Sequence, residues 1–527
     1  MYTLGFVWAG MIAPVAHAAD EVIPAEAVAP AEVVVPVEVA VPAEAVAPAE
    51  AVVEGAGQDF SVSSGLDEDK KNQDTFWSRW RFTGYLKNET AYRVREPRSI
   101  TKIRNIAYLN AQYTFGKAMK FNYTGWAYYD LAYDLFNYRT IVARSERNSQ
   151  EPLVFVETLA HEKDSPVAET RELYLDFFLK NLDIRLGKQY VVWGVLEGVR
   201  ITDEINPIDF RELILPDLLD YRIPLWTLKV DHYRGDTTYE FLWIPDIQFH
   251  KPAPLGSEWE LLQDIRDADG TVLTKFPKSF ALENSEVGFK VNTNILDTEL
   301  SLSYFYTWDD FPVIFRTARV DQTPNNPPIL YPTYTRITMY GTTAVKQVGP
   351  VIVKGEAAYV TDKYFGLRNT IDRDGDGYTD SNGELKRDHV RWGLGVDFNI
   401  FGMDVSPGYT QWHIINYDEG FIQPQNDSAF SVFARKEFPQ NSAILQVLWI
   451  YLVNMDESLL KPKLTFQVSD KLQVAGGLDL FYGKSGFLGD SGGNTVNNLI
   501  AATQQRPQFL GNFHNNDRVY MEVKYSF

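Results

Sequence analysis

Apolar and polar residues alternate along most of this chain, and the alternation is clearest in the segment RVYMEVKYSF at 518–527. A period of two is typical of a β-strand with one apolar face and one polar face. The pattern recurs at 286–295, 299–308 and 390–400, where the polar face is rich in Gly, Ser and Asn. One apolar face and one wet face on nearly every strand predict a closed transmembrane barrel. A soluble β-sandwich gives the same local alternation, so the pattern needs support from other features.

The lengths of the connections favour the barrel. Tight turns such as Phe115–Lys117 and Gly349–Pro350 alternate with long polar stretches such as 135–166 and 486–516. Short turns on one side and long loops on the other are typical of outer-membrane barrels. We therefore predict an all-β fold, a transmembrane antiparallel β-barrel of about 18 strands that covers residues 80–527.

Composition excludes several other classes of protein. After residue 20 no apolar run approaches the roughly 20 residues that a membrane-spanning helix needs. The chain has no cysteine, which excludes disulfides, thiolate metal sites and cysteine nucleophiles. Its formal net charge of −20 disfavours a general role in nucleic-acid binding.

The first 79 residues differ from the rest of the chain. Residues 1–18 have an apolar centre and end in Ala16-His17-Ala18, which predicts an export signal peptide cleaved before Ala19. Residues 19–79 are rich in Pro, Ala and Glu, and the sequence PAEAVAPAE occurs in them twice. Frequent proline blocks regular helix, and few aromatic residues are present to build a core. We predict a disordered periplasmic linker that ends in a short helix.

One segment carries a resemblance to a known family. The sequence LGKQYVVWG at 186–194 is followed by VRITDEINPIDFREL at 199–213. This pair resembles a family of proteobacterial outer-membrane porin-like barrels of unassigned function, in which a G-[KR]-Q-x-V-x-W-G strand leads into an I-N-P-[IV]-D loop. The matching residues are Gly187, Lys188, Gln189, Val191, Trp193 and Gly194, and then Ile205, Asn206, Pro207, Ile208 and Asp209. The resemblance implies a barrel in the outer membrane but no particular solute.

The segment 195–224 combines many charges with the apolar run LILPDLLDYRIPLW. Because this run is too apolar for a free loop, we predict that part of the segment folds inward and constricts the pore. The alternative is a loop that packs on the rim of the barrel. The predicted constriction residues come from the preceding strand and from the segment itself: Arg185, Gln189, Trp193, Asp203, Glu204, Asp209, Arg211 and Glu212.

A second acidic segment, DRDGDGYTDSNGE at 372–384, has the spacing of a calcium-binding loop. Acidic residues at alternate positions supply oxygen ligands to Ca²⁺, and a glycine provides the sharp turn. The predicted ligands are Asp372, Asp374, Asp376, the backbone carbonyl of Tyr378, Asp380 and Glu384. Gly383 stands where calcium loops carry a bidentate acid, and a solvated acidic turn is the alternative. A bound Ca²⁺ would stiffen the loop or help it to bind lipopolysaccharide.

Three classes of function remain for such a barrel. The favoured class is a passive or substrate-selective channel for small solutes, since barrels of this size leave an aqueous channel. A scaffold for a trans-envelope partner complex is the second. A hydrolase is the third: GDSGG at 489–493 resembles the serine segment of chymotrypsin-like proteases, but no histidine lies in a recognisable partner motif. We therefore expect a protein without enzymatic activity.

The expected partners follow from the predicted location in the outer membrane of a Gram-negative bacterium. They are outer-membrane lipid and lipopolysaccharide, together with the barrel assembly machinery during biogenesis. Phe527, with Tyr525 two residues before it, resembles the C-terminal signal that bacterial outer-membrane proteins present to that machinery.

Overall fold

The structure, a computed structural model, describes residues 76–527 except 97, 136–166, 197–199, 217, 252–258, 260–275, 318–319, 321–328, 486–505 and 507. The strands of this part of the chain are β1 (Trp80–Arg93), β2 (Ser99–Phe115), β3 (Met119–Asp130), β4 (Val167–Leu179), β5 (Leu182–Gln189), β6 (Leu225–Arg234), β7 (Thr237–Ile244), β8 (Glu286–Ile295), β9 (Thr298–Trp308), β10 (Val313–Thr317), β11 (Ile329–Thr333), β12 (Arg336–Val348), β13 (Val351–Gly366), β14 (Glu384–Ile400), β15 (Met403–Ile414), β16 (Asn426–Phe438), β17 (Ala443–Leu452), β18 (Glu457–Gln467), β19 (Leu472–Tyr482) and β20 (Arg518–Ser526).

Helical structure in the described residues is limited to short segments of three to seven residues. The α-helical turns are α1 (Ala132–Leu135) and α2 (Leu218–Tyr221). The 3₁₀ turns are Phe76–Arg79, Phe210–Glu212, Leu282–Asn284, Asp380–Gly383, Pro439–Asn441 and Leu510–Asn516. No helix in the described part of the chain is long and apolar enough to cross a membrane.

Eighteen of the strands form one closed antiparallel sheet, as the alternation predicted. Each strand pairs with its neighbours in the chain, except that β9 pairs with β12, because β10 and β11 form a separate two-stranded hairpin. β20 returns to pair with β1, which leaves the sheet without a free edge. Most connections at one end are turns of a few residues, and the long connections lie at the other end. We call these the short-turn end and the long-loop end.

The closure between β1 and β20 runs from Tyr85, opposite Ser526, to Arg93, opposite Arg518. Phe527 extends it by one residue: its N–H donates to the Gly84 carbonyl at 2.9 Å, and the Gly84 N–H donates to the Phe527 carbonyl at 3.1 Å. A Cβ added at Gly84 would lie 2.7 Å from the Phe527 ring. A side chain at position 84 would therefore collide with this ring and with the Tyr108 carbonyl oxygen.

The two faces of the sheet differ as the sequence predicted. On β9, Leu302 is 67% exposed, whereas its neighbours Ser301 and Phe305 on the other face are 3% and 0% exposed. On β20, Met521 and Tyr525 are exposed on the outer face. A continuous apolar outer surface is unfavourable in water and favourable in lipid, and closure satisfies the backbone groups that lipid cannot.

Two weakly patterned segments, LWTLKVDHY and MDVSPGYTQWHI, are also strands of the barrel. In the second of these, β15, the pairing with β14 passes from Gly395–Gly408 to Phe398–Val405 and skips the residues between. Pro407 lies in this gap. Proline has no N–H to donate to a neighbouring strand, so it interrupts the hydrogen bonds of the ladder. Two residues are skipped on each strand, so the pairing resumes in the same phase.

We predict that Phe527→Asp lowers the fraction of assembled barrel, because it places a charge on the outer face of the closing strand. Ser526→Asp is the matched control, since it adds the same charge one residue away on the inner face. The measurement is heat-modifiable migration of outer-membrane fractions on gels. Equal assembly of the two variants would contradict the prediction.

Candidate functional site

The connection between β5 and β6, residues 190–224, turns into the barrel. β5 ends at Gln189, so the second half of LGKQYVVWG lies outside the strand in which the motif places it. The connection satisfies its own backbone there: the Val191 N–H donates to the side-chain oxygen of Asn206 at 2.8 Å. The strand ends early because a side chain of the connection takes the place of a ladder partner.

The first arm of this connection, residues 191–205, packs on the inner faces of β7, β9, β12 and β13. The apolar cluster that results consists of Val191, Trp193, Ile201, Ile205, Leu225, Leu242, Ile244, Phe305, Ile337, Met339, Ala358 and Val360. Each fully buried side chain of this size contributes roughly 1.5–3 kcal/mol relative to its exposed state. This side of the lumen is therefore filled by a packed core.

One carboxylate on β13 fixes the backbone of the first arm. Glu356 accepts hydrogen bonds from the Val195 N–H, from the Leu196 N–H at 2.6 Å, and from the N–H and hydroxyl of Thr202 at 3.2 and 3.1 Å. Hydrogen bonds to a charged acceptor are stronger than neutral ones, and a buried carboxylate needs several. Glu356 thus anchors the arm to the wall at two places along its length.

Charged inner-face residues of three further strands hold the same arm. The Trp193 indole N–H donates to Glu240 on β7 at 2.6 Å, and Lys290 on β8 donates to the Trp193 carbonyl at 3.2 Å. Glu204 forms an ion pair with Arg391 on β14 at 3.0 Å. The arm is therefore attached to β7, β8, β13 and β14 by polar contacts as well as by packing.

The two ends of the connection come together at Pro207–Ile208 and Arg222–Ile223, and we call this point the neck. Ile208 and Arg222 form an isolated antiparallel bridge, and the Ile223 N–H donates to the Pro207 carbonyl at 2.8 Å. Residues 209–221, which we call the tip, lie beyond this neck. Because the chain is bridged at the neck, the tip forms a smaller loop within the longer connection.

The tip begins with a capped turn. The Asp209 carboxylate accepts the Arg211 N–H at 3.1 Å and its guanidinium Nε–H at 2.8 Å, at the start of the 3₁₀ turn Phe210–Glu212. Burial by itself raises the pKa of Asp209, but Arg211 outweighs burial and lowers that pKa to about 2. Leu213 then adopts a positive φ of 55°, which non-glycine residues rarely do. The turn directs the following residues across the barrel.

The tip ends against the opposite wall. Glu212 is 4% exposed and forms ion pairs with Lys102 and Arg104 on β2, the latter at 2.5 Å. Lys461 on β18 donates to the Leu215 carbonyl at 2.8 Å. The connection therefore spans the lumen from β5 and β6 to β2 and β18.

The described part of the lumen contains a cavity beside β1–β3 and β16–β20, which we call the passage, with about 1290 Å³ of empty space that includes open solvent. The basic residues of its wall are Lys87, Lys102, Arg104, Lys461, Lys463 and Arg518. The acidic residues are Glu89, Asp479 and Glu522 from the wall and Asp209, Glu212 and Asp220 from the tip. Aromatic rings lie between them, among them Trp126, Tyr128 and Tyr520. Small solutes that cross this barrel would meet both signs of charge and aromatic faces.

The structure brings three of the eight predicted constriction residues to this passage: Asp209, Arg211 and Glu212. Arg185 lies on the lumen wall, paired with Asp176 at 2.6 Å, and does not line the passage. The other four residues hold the connection or its base in place: Gln189, Trp193, Asp203 and Glu204.

Sequence reasoning missed most of the basic wall. Lys102 and Arg104 on β2 and Lys461 on β18 line the passage, yet none was a candidate residue. Each lies on the inner face, and Ile103, between the first two, lies on the other face of β2. The period-two register was thus sufficient to find them, but it could not show that the tip would end beside them.

The acidic segment at the long-loop end folds tightly around its first residue. The Asp372 carboxylate accepts the N–H of Gly375 at 2.7 Å and of Gly377 at 3.0 Å. Carboxylate oxygens of Asp372, Asp374 and Asp376 lie within 4.8 Å of one another. Three of the predicted calcium ligands therefore come together at one point of the loop.

The remaining predicted ligands are placed differently. Asp380 pairs with Arg373 at 2.9 Å, and Glu384 is the first residue of β14 and 1% exposed. Tyr378 is 43% exposed and donates its N–H to Asp376 at 2.7 Å. The described geometry groups three aspartates and leaves Asp380 and Glu384 outside that group.

Comparison with protein families assigns the chain to one of them. Residues 101–418 match the family described as "Protein of unknown function (DUF1302)", so the chain belongs to this family. The matched span includes the connection between β5 and β6. No curated protein matches the chain.

Solved structures with a similar arrangement include three bacterial proteins. OccAB2 of Acinetobacter baumannii has 10% identity and a TM-score of 0.47, over 86% of this chain and 98% of that one. OccK9 (OpdG) of Pseudomonas aeruginosa has 9% identity and a TM-score of 0.46, over 86% and 99%. OpdK of Pseudomonas aeruginosa, solved with vanillate, has 9% identity and a TM-score of 0.45, over 86% and 100%.

The ion pairs of Glu212 predict a pH dependence of stability. Burial by itself raises the pKa of Glu212, but Arg104, Lys102 and Arg518 outweigh burial and the repulsion of Glu89, and they lower that pKa from 4.5 to about 2. Because the folded pKa is depressed, the stabilisation is complete above the unfolded pKa and is lost as the pH falls towards the folded one. The measurement is the thermal unfolding midpoint of wild type and of Glu212→Gln. We expect the difference between them to be constant above about pH 5 and to vanish near about pH 2. A difference that persists at the acid limit would contradict the prediction.

Proposed function

We propose that this family member is an outer-membrane channel of a Gram-negative bacterium that passes small solutes selectively. The observation that carries the proposal is the passage itself: a cavity lined by charged and aromatic side chains, inside a closed barrel with an apolar outer face. Barrels of 16–18 strands enclose an aqueous channel unless something fills it. Here the connection between β5 and β6 fills one side of the lumen and leaves a lined cavity on the other. The N-terminal segment 19–79 would then extend into the periplasm, beside the short-turn end.

Two other classes of function predict different behaviour. A barrel that serves as a scaffold for a trans-envelope partner needs no continuous path, so it would conduct little or no current. A hydrolase would use Ser491 of the GDSGG segment, which lies outside the described residues. The paired charges along the passage favour transport, because each of them faces the path and none is required for closure of the sheet.

The first test is conductance of the purified protein in a planar lipid bilayer. A channel gives stepwise current, and the absence of steps from a correctly folded barrel would overturn the proposal.

The second test uses a variant that lacks residues 209–221. A Gly-Ser dipeptide joins Ile208 to Arg222 in this variant, which preserves the neck. We expect a higher single-channel conductance, because the tip occupies the lumen between β5 and β18. An unchanged conductance in a folded variant would remove the tip from the permeation path.

We further propose that the loop of Asp372, Asp374 and Asp376 binds a structural Ca²⁺ at the cell surface. The support is the approach of their carboxylate oxygens to within 4.8 Å, since three negative charges repel one another without a cation. Ca²⁺ takes six to eight oxygen ligands, so backbone carbonyls and water would complete the shell. The ion would stiffen this loop and could bridge it to lipopolysaccharide phosphates.

The test of the calcium proposal is isothermal titration of Ca²⁺ into wild type and into Asp372→Ala/Asp376→Ala. We expect binding heat and a higher melting temperature in wild type alone. Asp362→Ala/Asp388→Ala is a matched control, because it removes two carboxylates from the same end of the barrel and not from this loop. Identical heats in all three proteins would show that no site exists.

A further inference from the structure

The passage has walls of opposite charge. Among the described residues that line it, the barrel wall contributes six basic and three acidic residues, a net charge of +3, whereas the tip contributes three acidic residues and one basic residue, a net charge of −2. The two surfaces line the same cavity. The acidic tip therefore compensates the charge of a basic wall. The position of the tip decides whether a solute meets that wall with its positive charge neutralised.

Glu212 is the residue of the tip that makes this contact. Its carboxylate lies among Lys102, Arg104 and Arg518, with Arg104 at 2.5 Å and Arg518 at 3.8 Å. Arg104 and Lys102 belong to β2 and Arg518 belongs to β20, so the carboxylate bridges the two strands that flank β1.

The other carboxylates of this cluster share two of these cations with Glu212. Glu89 contacts Lys102 at 3.2 Å, and Asp479 contacts Arg518 at 2.6 Å. Glu212 is the carboxylate that pairs with Arg104. Lys87 also pairs with Glu89, at 2.7 Å, so four cations and three carboxylates meet here with Glu212 in place. Without Glu212, Arg104 loses the carboxylate that pairs with it among the described residues.

We propose that Glu212 determines the ion selectivity of the channel by acting as an internal counter-anion for the basic wall. The inference rests on the proposed channel function and adds the residue that sets its charge preference. With Glu212 docked, the passage discriminates little between small cations and anions. When the carboxylate is lost, or when the tip withdraws, the wall of Lys102, Arg104 and Arg518 selects anions.

The position of this carboxylate has a further consequence for the mechanism. Glu212 is carried by the tip and not by the barrel, so any displacement of the tip both widens the path and uncovers the cations. An anionic solute would compete with Glu212 for the same three side chains, whereas a cationic solute would not. Widening and anion selectivity are thereby coupled in one movement.

The experiment measures the zero-current potential of single channels across a KCl gradient. For Glu212→Gln we expect the ratio of Cl⁻ to K⁺ permeability to rise about fourfold, the scale set by a unit charge roughly 5 Å from the ion path in water with salt screening. Arg104→Gln should shift the ratio in the opposite direction, because it leaves Glu212 in excess. The double variant Glu212→Gln/Arg104→Gln should return to the wild-type ratio.

Glu437→Gln is the matched control. It removes one carboxylate that is ion-paired to an arginine, Arg435, at 2.6 Å, but it lies at the short-turn end and does not line the passage. We expect its permeability ratio to equal that of wild type. If Glu212→Gln fails to assemble, the permeability ratio of Arg104→Gln still tests the proposal, because it is expected to shift in the opposite direction.

The outcomes separate this inference from the proposed function. If wild type gives no stepwise current, the channel function itself is wrong. If wild type conducts and neither Glu212→Gln nor Arg104→Gln changes the permeability ratio, the channel stands and the role of Glu212 is wrong. A shift of the same size in Glu437→Gln would also overturn the inference, because overall charge would then explain the effect.

Discussion

Closure of the sheet between β1 and β20 is the constraint on which the rest of this structure depends. In lipid, an unpaired backbone N–H or C=O has no water to bind, and each such group is unfavourable by several kcal/mol. Pairing from Tyr85 to Arg93 removes both edges at once and allows the outer face to be apolar throughout. The inner face is then free to carry charges, because none of them is needed to hold the strands together.

Inside the barrel, buried carboxylates attach the irregular chain to the regular wall. Glu356 on β13 binds backbone N–H groups of the first arm, and Glu457 on β18 binds the N–H groups of Phe509 and Leu510 at the long-loop end. Both carboxylates lie on the inner faces of strands, and both satisfy donors that no strand partner reaches. The same device therefore docks two separate connections into one lumen, where packing alone would leave backbone groups unsatisfied.

The barrel could be predicted from the sequence because its outer face contacts lipid and its inner face contacts water. Leu302 and Met521 face outward while Ser301 and Arg518 face inward, and this contrast survives in every well-patterned strand. The strand boundaries were less predictable where side chains replace ladder partners, as after Gln189. The docking of the tip could not be read from local pattern, because Glu212 meets residues of β2 and β20 that are distant in the chain. The apolar run after Glu212 indicated only that this segment is buried.

The neck at Pro207 and Ile223 divides the connection into two parts with different tolerance to change. The first arm is embedded in an apolar core, so substitutions there disturb packing with the wall and affect assembly. The tip, residues 209–221, meets the wall through the ion pairs of Glu212 and buries Phe210, Ile214 and Tyr221, and the neck closes behind it. A substitution in the tip therefore changes the lining of the passage, while the first arm keeps its own contacts with the wall.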